Sequence, residues 1–265
     1  MNSTTILIAF ALTFVAGLST GIGSLMALLA KKTNTRFLCA SLGFSAGVMI
    51  YISFMEMMPQ AKEALFHSFD EKMGMLYLIL SFFGGIALIM LIDFFIPETT
   101  ANPHAVHSVE EMNTNHSLKR VGLIVALSLA IHNFPEGIAS FISGLGGMDI
   151  AIPITIAIAI HNIPEGIAVA VPIYHATGSR KKAFWWSFLS GLAEPLGAVM
   201  AYIFLMPYWS PALNGIILAV VSGIMVFISL DELLPSAEKF GKHHISMGGL
   251  ISGMVVMAIS LYFFG

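Results

Sequence analysis

Thiols and charge are what this chain has least of. A single cysteine, Cys39, stands among 265 residues. That excludes an intrachain disulfide and any cluster of thiolates around a metal. Charged residues make up 10% of the chain against 57% hydrophobic ones, far short of the roughly one quarter typical of water-soluble domains. The net charge of −3 gives no sign of a nucleic-acid partner, and none is expected. No Lys or Arg precedes the first apolar run, and that run is too long for the core of a cleaved leader, so no signal peptide is expected.

What is present is apolar sequence in long runs, with a mean hydropathy of +0.87. Eight stretches can each cross a hydrocarbon core, which takes about 20 residues. They cover 5–30, 37–59, 74–96, 121–145, 150–173, 184–206, 212–235 and 245–264. The expected fold is therefore an all-α membrane protein of eight transmembrane helices, forming one polytopic domain over 1–265 with the lipid bilayer as its surroundings. If the spans alternate, Lys31, Lys32, Arg36, Lys119, Arg120, Arg180, Lys181, Lys182, Lys239 and Lys242 share one side, and only Lys62 and Lys72 lie on the other. Basic residues collect on the cytoplasmic side, so both termini are expected outside the cytoplasm, in a cell (inner) membrane. The polar stretch 97–118, with His104, His107, His116, Glu110 and Glu111, then reads as a cytoplasmic linker that could also hold metal loosely.

One ten-residue phrase occurs twice. Ala130–Ala139 reads AIHNFPEGIA and Ala159–Ala168 reads AIHNIPEGIA, identical at nine of ten positions. Both copies sit midway along apolar spans. His132 and Glu136 are four apart, as are His161 and Glu165, so each pair shares a helix face. Pro135 and Pro164 lack a backbone N–H and are expected to loosen the helix at the carbonyls of Ile131 and Ile160. A carboxylate at bilayer depth costs on the order of 3 kcal/mol even on insertion scales. Neither span carries Lys or Arg, so the two glutamates need a cation or must stay protonated. Glu194, in Gly191-Leu-Ala-Glu-Pro-Leu-Gly197, is again at mid-span beside a proline.

A fainter repeat frames this pair. Gly47–Ala61 aligns without gaps on Gly223–Ala237, identical at seven of fifteen positions. Gly17-Leu18 and Gly23 match Gly191-Leu192 and Gly197, while Gly84, Gly85 and Met90 match Gly248, Gly249 and Met254. Spans 1–3 and 6–8 are thus related, and an offset of five helices inverts one set against the other. The layout is 3+2+3, an inverted repeat with a midplane site, which is a transporter plan. Glu56 and Glu232 fall at equivalent places near opposite faces. Each reads either as an interfacial charge or as a stop for a cation on its way through. Asp93 reads as a solvated helix-end charge. The glycines of the first span read as contact points between helices.

These residues resemble the ZIP (Zrt/Irt-like) metal transporter family, most closely its bacterial ZupT branch, and the resemblance covers essentially the whole chain. It implies an importer of zinc, and of iron, manganese and cobalt, with a two-metal site at the centre of the pathway. Carried over by position, one ion takes His132, Glu136, His161 and Glu165. The other takes Asn133, Glu136, Asn162, Glu165 and Glu194, with Glu136 and Glu165 bridging. The resemblance also implies a transport domain moving against a dimerisation domain, which leaves room for a homodimer. The donor chemistry agrees, since imidazole, carboxylate and amide without thiolate suit Zn²⁺, Fe²⁺, Mn²⁺ and Co²⁺. Transported ions are the only cofactors expected, and no organic one. Two rivals stand beside this. Two-metal sites also hydrolyse substrates, but the order here is His-x-x-x-Glu and no His-Glu-x-x-His occurs, so an enzyme is not expected. A metal channel is the other.

Overall fold

The structure, a computed structural model, describes residues 3–29, 35–95, 115–238 and 242–264. The polar stretch 97–118 lies outside the described residues up to 114, as do the side chains of 115–129 and that of His132.

Eight long helices make up almost all of the described chain: α1 (Ser3–Leu29), α2 (Thr35–Ser68), α3 (Glu71–Phe95), α4 (Asn115–Gly146), α5 (Met148–Thr177), α6 (Arg180–Phe204), α7 (Pro211–Glu238) and α8 (His243–Phe264). Each covers all or nearly all of one of the apolar stretches, and no strand occurs among the described residues. Helices are the natural solution in hydrocarbon, because every backbone N–H and C=O is satisfied within the segment. Between α4 and α5 only Gly147 interrupts the helix, at φ +131°. That conformation is open to glycine and strained for other residues, so a one-residue reversal is possible here.

The burial pattern is inside out. In the most apolar window of α3 only 17% of residues are buried, and in α8 28%, against 72% in α5. Phe83, Leu91 and Phe94 of α3 and Ile251, Ile259 and Phe263 of α8 are exposed. The buried set meanwhile includes three glutamates, two asparagines and a histidine. Apolar outside and polar inside is the arrangement that lipid selects.

The helix is not interrupted at Pro135 and Pro164 in α4 and α5. Each proline still withholds one N–H, so the carbonyls of Ile131 and Ile160 lose their usual helical partner, as expected from the sequence. The break falls instead in α6, where a turn at Leu192 divides Arg180–Gly191 from Ala193–Phe204. Pro195 follows it. Lacking an N–H, Pro195 cannot bond the Gly191 carbonyl.

The repeat is visible in atomic detail. Ser53–Met57 and Ser229–Leu233 are both π-helical turns, 176 residues apart. In each the serine hydroxyl donates to a carbonyl four residues back, Ser53 to Met49 and Ser229 to Met225, both at 2.7 Å. Pro59 and Pro235 follow, and the widened turn absorbs the missing hydrogen bond. Packing follows the same symmetry: α2 lies on α8 as α7 lies on α3, and α1 on α5 as α6 on α4. At the centre, Gly17 of α1 and Gly191 of α6 face each other's carbonyl oxygens. Gly23 approaches the carbonyl of Ile163, while Gly197 approaches that of Phe134. Gly137 approaches the carbonyl of Glu194, while Gly166 approaches that of Thr20. Phe134 and Ile163 are 29 residues apart, as are Gly137 and Gly166, and Thr20 precedes Glu194 by 174, as Gly23 precedes Gly197. One pseudo-twofold axis therefore passes through the Gly17–Gly191 contact and exchanges α4 with α5.

The halves differ in one place. α2 packs extensively on α5, whereas the equivalent pair, α7 and α4, touches over a smaller area. An apolar cavity of about 630 Å³ lies beside that contact, lined among others by Leu88, Ile131, Phe134, Pro135, Ile217 and Val221.

Candidate metal centre

Asn133 and Glu136 come from α4, His161, Asn162 and Glu165 from α5, and Glu194 from the broken turn of α6. All six are at most 1% exposed. Helical spacing puts Asn133 and Glu136, and Asn162 and Glu165, on faces that meet at the pseudo-twofold axis. The α6 break lets Glu194 enter from the third side.

Both asparagines are held the same way. Asn133 Nδ2 donates to the Ser190 carbonyl at 3.3 Å, and Asn162 Nδ2 donates to the Ala16 carbonyl at 3.0 Å. Ala16 and Ser190 are also 174 residues apart. Because a carbonyl only accepts, the NH₂ of each amide must point at it. Each Oδ1 is then left without a hydrogen-bond partner among the described residues. Asn162 Nδ2 also donates to Glu194 Oε1, and Glu194 Oε2 has no such partner among them. The carbonyls of Ala16 and Ser190 are parts of this centre that side-chain motifs do not reveal.

His161 Nδ1 lies 3.0 Å from the Ala157 carbonyl, one turn back on α5, and its Nε2 lies 3.1 Å from Glu136 Oε2. The carbonyl claims the Nδ1 proton, so the neutral ring presents a lone pair at Nε2 to a carboxylate oxygen. Two acceptors face each other there, and they attract only if a proton or a cation lies between them. Glu136 and Glu165 both lie within electrostatic range of Glu194. Three carboxyl groups thus share one dry site, and α5 and the two spans beside it hold no Lys or Arg at this depth. Among the described residues no three His, Cys, Asp or Glu groups close around a single point; His132 lies outside that set, since its side chain is not described. What is drawn together is His161 with Glu136, and Asn162 with Glu194.

Glu56 and Glu232 stand away from this centre, within the two π turns, and both are half-buried. Gln60 Nε2 donates to Glu56 Oε1 at 2.5 Å. Helix α2 continues to Ser68, well past Pro59 where the apolar stretch ends, so Glu56 sits within a helix rather than at its tip.

Comparison with known sequences agrees with this architecture. The family model described as ZIP Zinc transporter matches residues 99–261. The Zinc transporter ZupT of Streptococcus mutans is 59% identical, over 97% of this chain and 97% of its own. That of Clostridium perfringens is 55% identical over 99% of this chain and 98% of its own. That of Corynebacterium aurimucosum is 54% identical over the full length of both chains. With half of all positions shared from end to end, and a transporter family in place of the enzyme alternative, this chain belongs to the ZIP zinc transporter family.

Proposed function

We propose that this chain carries zinc, and also Fe²⁺, Mn²⁺ and Co²⁺, across a cell inner membrane into the cytoplasm through a two-ion site. One ion is held by His132, Glu136, His161 and Glu165, and the other by Asn133, Glu136, Asn162, Glu165 and Glu194. The observation that carries this reading is the pair of facing acceptors, His161 Nε2 and Glu136 Oε2, 3.1 Å apart. Zinc ligands about 2.0–2.2 Å from the metal, at a tetrahedral angle, are roughly 3.4 Å from one another. The free Oδ1 atoms of the two asparagines and the second oxygen of Glu194 supply harder donors for the other ion. Both termini lie outside the cytoplasm in this reading, as the basic residues imply.

Purified protein in proteoliposomes tests it directly. Saturable zinc uptake, competed by the other three ions, is expected; flux that never saturates overturns the carrier reading. Uptake also requires ligands to lose protons before they bind metal.

The cavity beside Pro135 supports a movement of α1, α4, α5 and α6 against α2, α3, α7 and α8, on the surface of a homodimer. Two symmetry-related interfaces, one packed more fully than the other, fit alternating access, in which closing one opens the other. Ile217→Trp fills the cavity, so it is expected to lower the maximal rate several-fold and leave half-saturation in place. A wild-type maximal rate in that variant removes the cavity from the cycle.

Glu56 and Glu232 gather ions at the two ends of the path. Half-buried, each carboxylate keeps contact with water and salt, which screen it, so it attracts without trapping. Glu56→Ala is expected to raise half-saturation for external zinc with little change in maximal rate. Glu232→Ala is expected to lower the maximal rate, with Asp231 covering for part of the loss. An unmoved uptake curve for Glu56→Ala makes it an interfacial charge only.

A further inference from the structure

The pseudo-twofold axis assigns a partner to every polar group of the centre: Asn133 to Asn162, Glu136 to Glu165, and Glu194 to Thr20. Thr20 stands to Gly191 as Glu194 stands to Gly17. Its Oγ1 lies 2.9 Å from where a Cβ on Gly191 would be, and the Glu194 Cβ lies 3.5 Å from the corresponding point on Gly17. Thr20 is fully buried. Elsewhere in the chain Thr13, Ser53, Ser222 and Ser229 satisfy their hydroxyls on the carbonyl one turn back. Thr20 does not: its Oγ1, like the hydroxyls of Ser24, Ser143, Thr155, Ser246 and Ser260, has no hydrogen-bond partner among the described residues, and of these Thr20 alone occupies the place that the axis relates to Glu194. A buried hydroxyl left unpaired costs about 1–3 kcal/mol, which a polar occupant of the site would recover.

The axis also settles what that occupant is. The second ion's donors, Asn133, Asn162, Glu136, Glu165 and Glu194, are five oxygens, and the symmetry leaves the place opposite Glu194 vacant of any carboxylate. A threonine hydroxyl is two bonds shorter than a glutamate oxygen, so from the mirrored backbone position it stops one water short of the ion. We propose that Thr20 is a positioning residue that holds a water as the sixth oxygen of the second ion, giving an octahedral all-oxygen shell. This rests on the two-ion reading above. Six oxygens suit Mn²⁺ and other hard ions, whereas zinc is content with four ligands. The two sides of the shell then differ by a full charge, Glu194 against a neutral hydroxyl.

The test is zinc uptake in proteoliposomes with Mn²⁺ as competitor, for wild type, Thr20→Ser and Thr20→Val, with thermal unfolding measured alongside. Thr20→Val keeps the shape and removes the hydroxyl. Losing a group that orients a ligand weakens metal affinity about tenfold or more. The Mn²⁺ concentration for half-inhibition is therefore expected to rise about tenfold in Thr20→Val, with zinc half-saturation moving much less and Thr20→Ser close to wild type. An unchanged Mn²⁺ preference in Thr20→Val overturns the proposal, and so does wild-type uptake that is indifferent to Mn²⁺. If Thr20→Val unfolds early, the exchange Thr20→Glu with Glu194→Thr decides. Recovery of the uptake lost in Glu194→Thr alone supports the mirrored position, and a folded but inactive double variant refutes it. Failure of the two-ion reading shows separately, as full zinc uptake by Glu136→Ala.

Discussion

Alanine in place of Glu136 or Glu165 is expected to bring zinc uptake down to background while the protein still inserts and folds. Outer residues that only orient a metal ligand already change affinity by about 10- to 100-fold, and a carboxylate shared by two ions is expected to exceed a hundredfold. The conservative Glu136→Gln and Glu165→Gln are expected to fail nearly as badly. The amide fills the same space, but it removes one of the three negative charges that the site can set against its divalent ions. Stability should move the other way. With one glutamate gone, one buried carboxyl group no longer needs a partner, so detergent-solubilised Glu165→Ala is expected to unfold no earlier than wild type. Radiolabelled zinc uptake over a concentration series checks the first claim, and wild-type rates in either variant remove that glutamate from the site.

A methyl group at Gly137 or Gly166 is expected to be almost as damaging, through packing rather than charge. A Cβ at Gly137 would fall on the Glu194 carbonyl, and one at Gly166 on the Thr20 carbonyl. Backbone cannot swing aside as a side chain can, so α6 must move off α4, or α1 off α5. Overpacking of this kind costs about 1–3 kcal/mol, which lowers the unfolding midpoint of a chain this size by roughly 5 °C. It also carries the Glu194 carboxyl away from Asn162, so uptake should fall together with stability. Gly84 provides the control, because nothing lies within 4 Å of a Cβ built there. Gly84→Ala is expected to stay within about 0.5 kcal/mol of wild type. Thermal scans of the three variants suffice, and a Gly137→Ala protein as stable as Gly84→Ala removes the close approach as a constraint.

The same glycines mark how far sequence reasoning reaches. Gly17, Gly23, Gly191 and Gly197 align in the repeat, and close helix contact is the natural reading of small residues in apolar spans. Which backbone atoms they meet is a matter of two helices at once, and no single span encodes it. The prolines show the opposite failing. A missing N–H is a local fact, and it is the same fact at Pro135, Pro164 and Pro195. Of the three, only Pro195 lies beside an interruption of the helix, at Leu192, where Gly191 packs against the backbone of Gly17.

Membrane residence, the number of apolar spans, the doubled His-Asn-x-Pro-Glu-Gly phrase and the relation of spans 1–3 to 6–8 all follow from the order of residues alone. They are set by composition and by periodicity within a span, and both are written along the chain. The tertiary structure decided that α4 and α5 stay helical through their prolines and that two π turns mark the repeat. It also decided that Asn133 and Asn162 are pinned to the carbonyls of Ser190 and Ala16, and that Thr20 packs on Gly191 as Glu194 packs on Gly17. Each of these depends on where residues some 30 to 170 positions apart come to lie. That distance is closed only when helices pack, and packing is a property of pairs of surfaces rather than of any one segment.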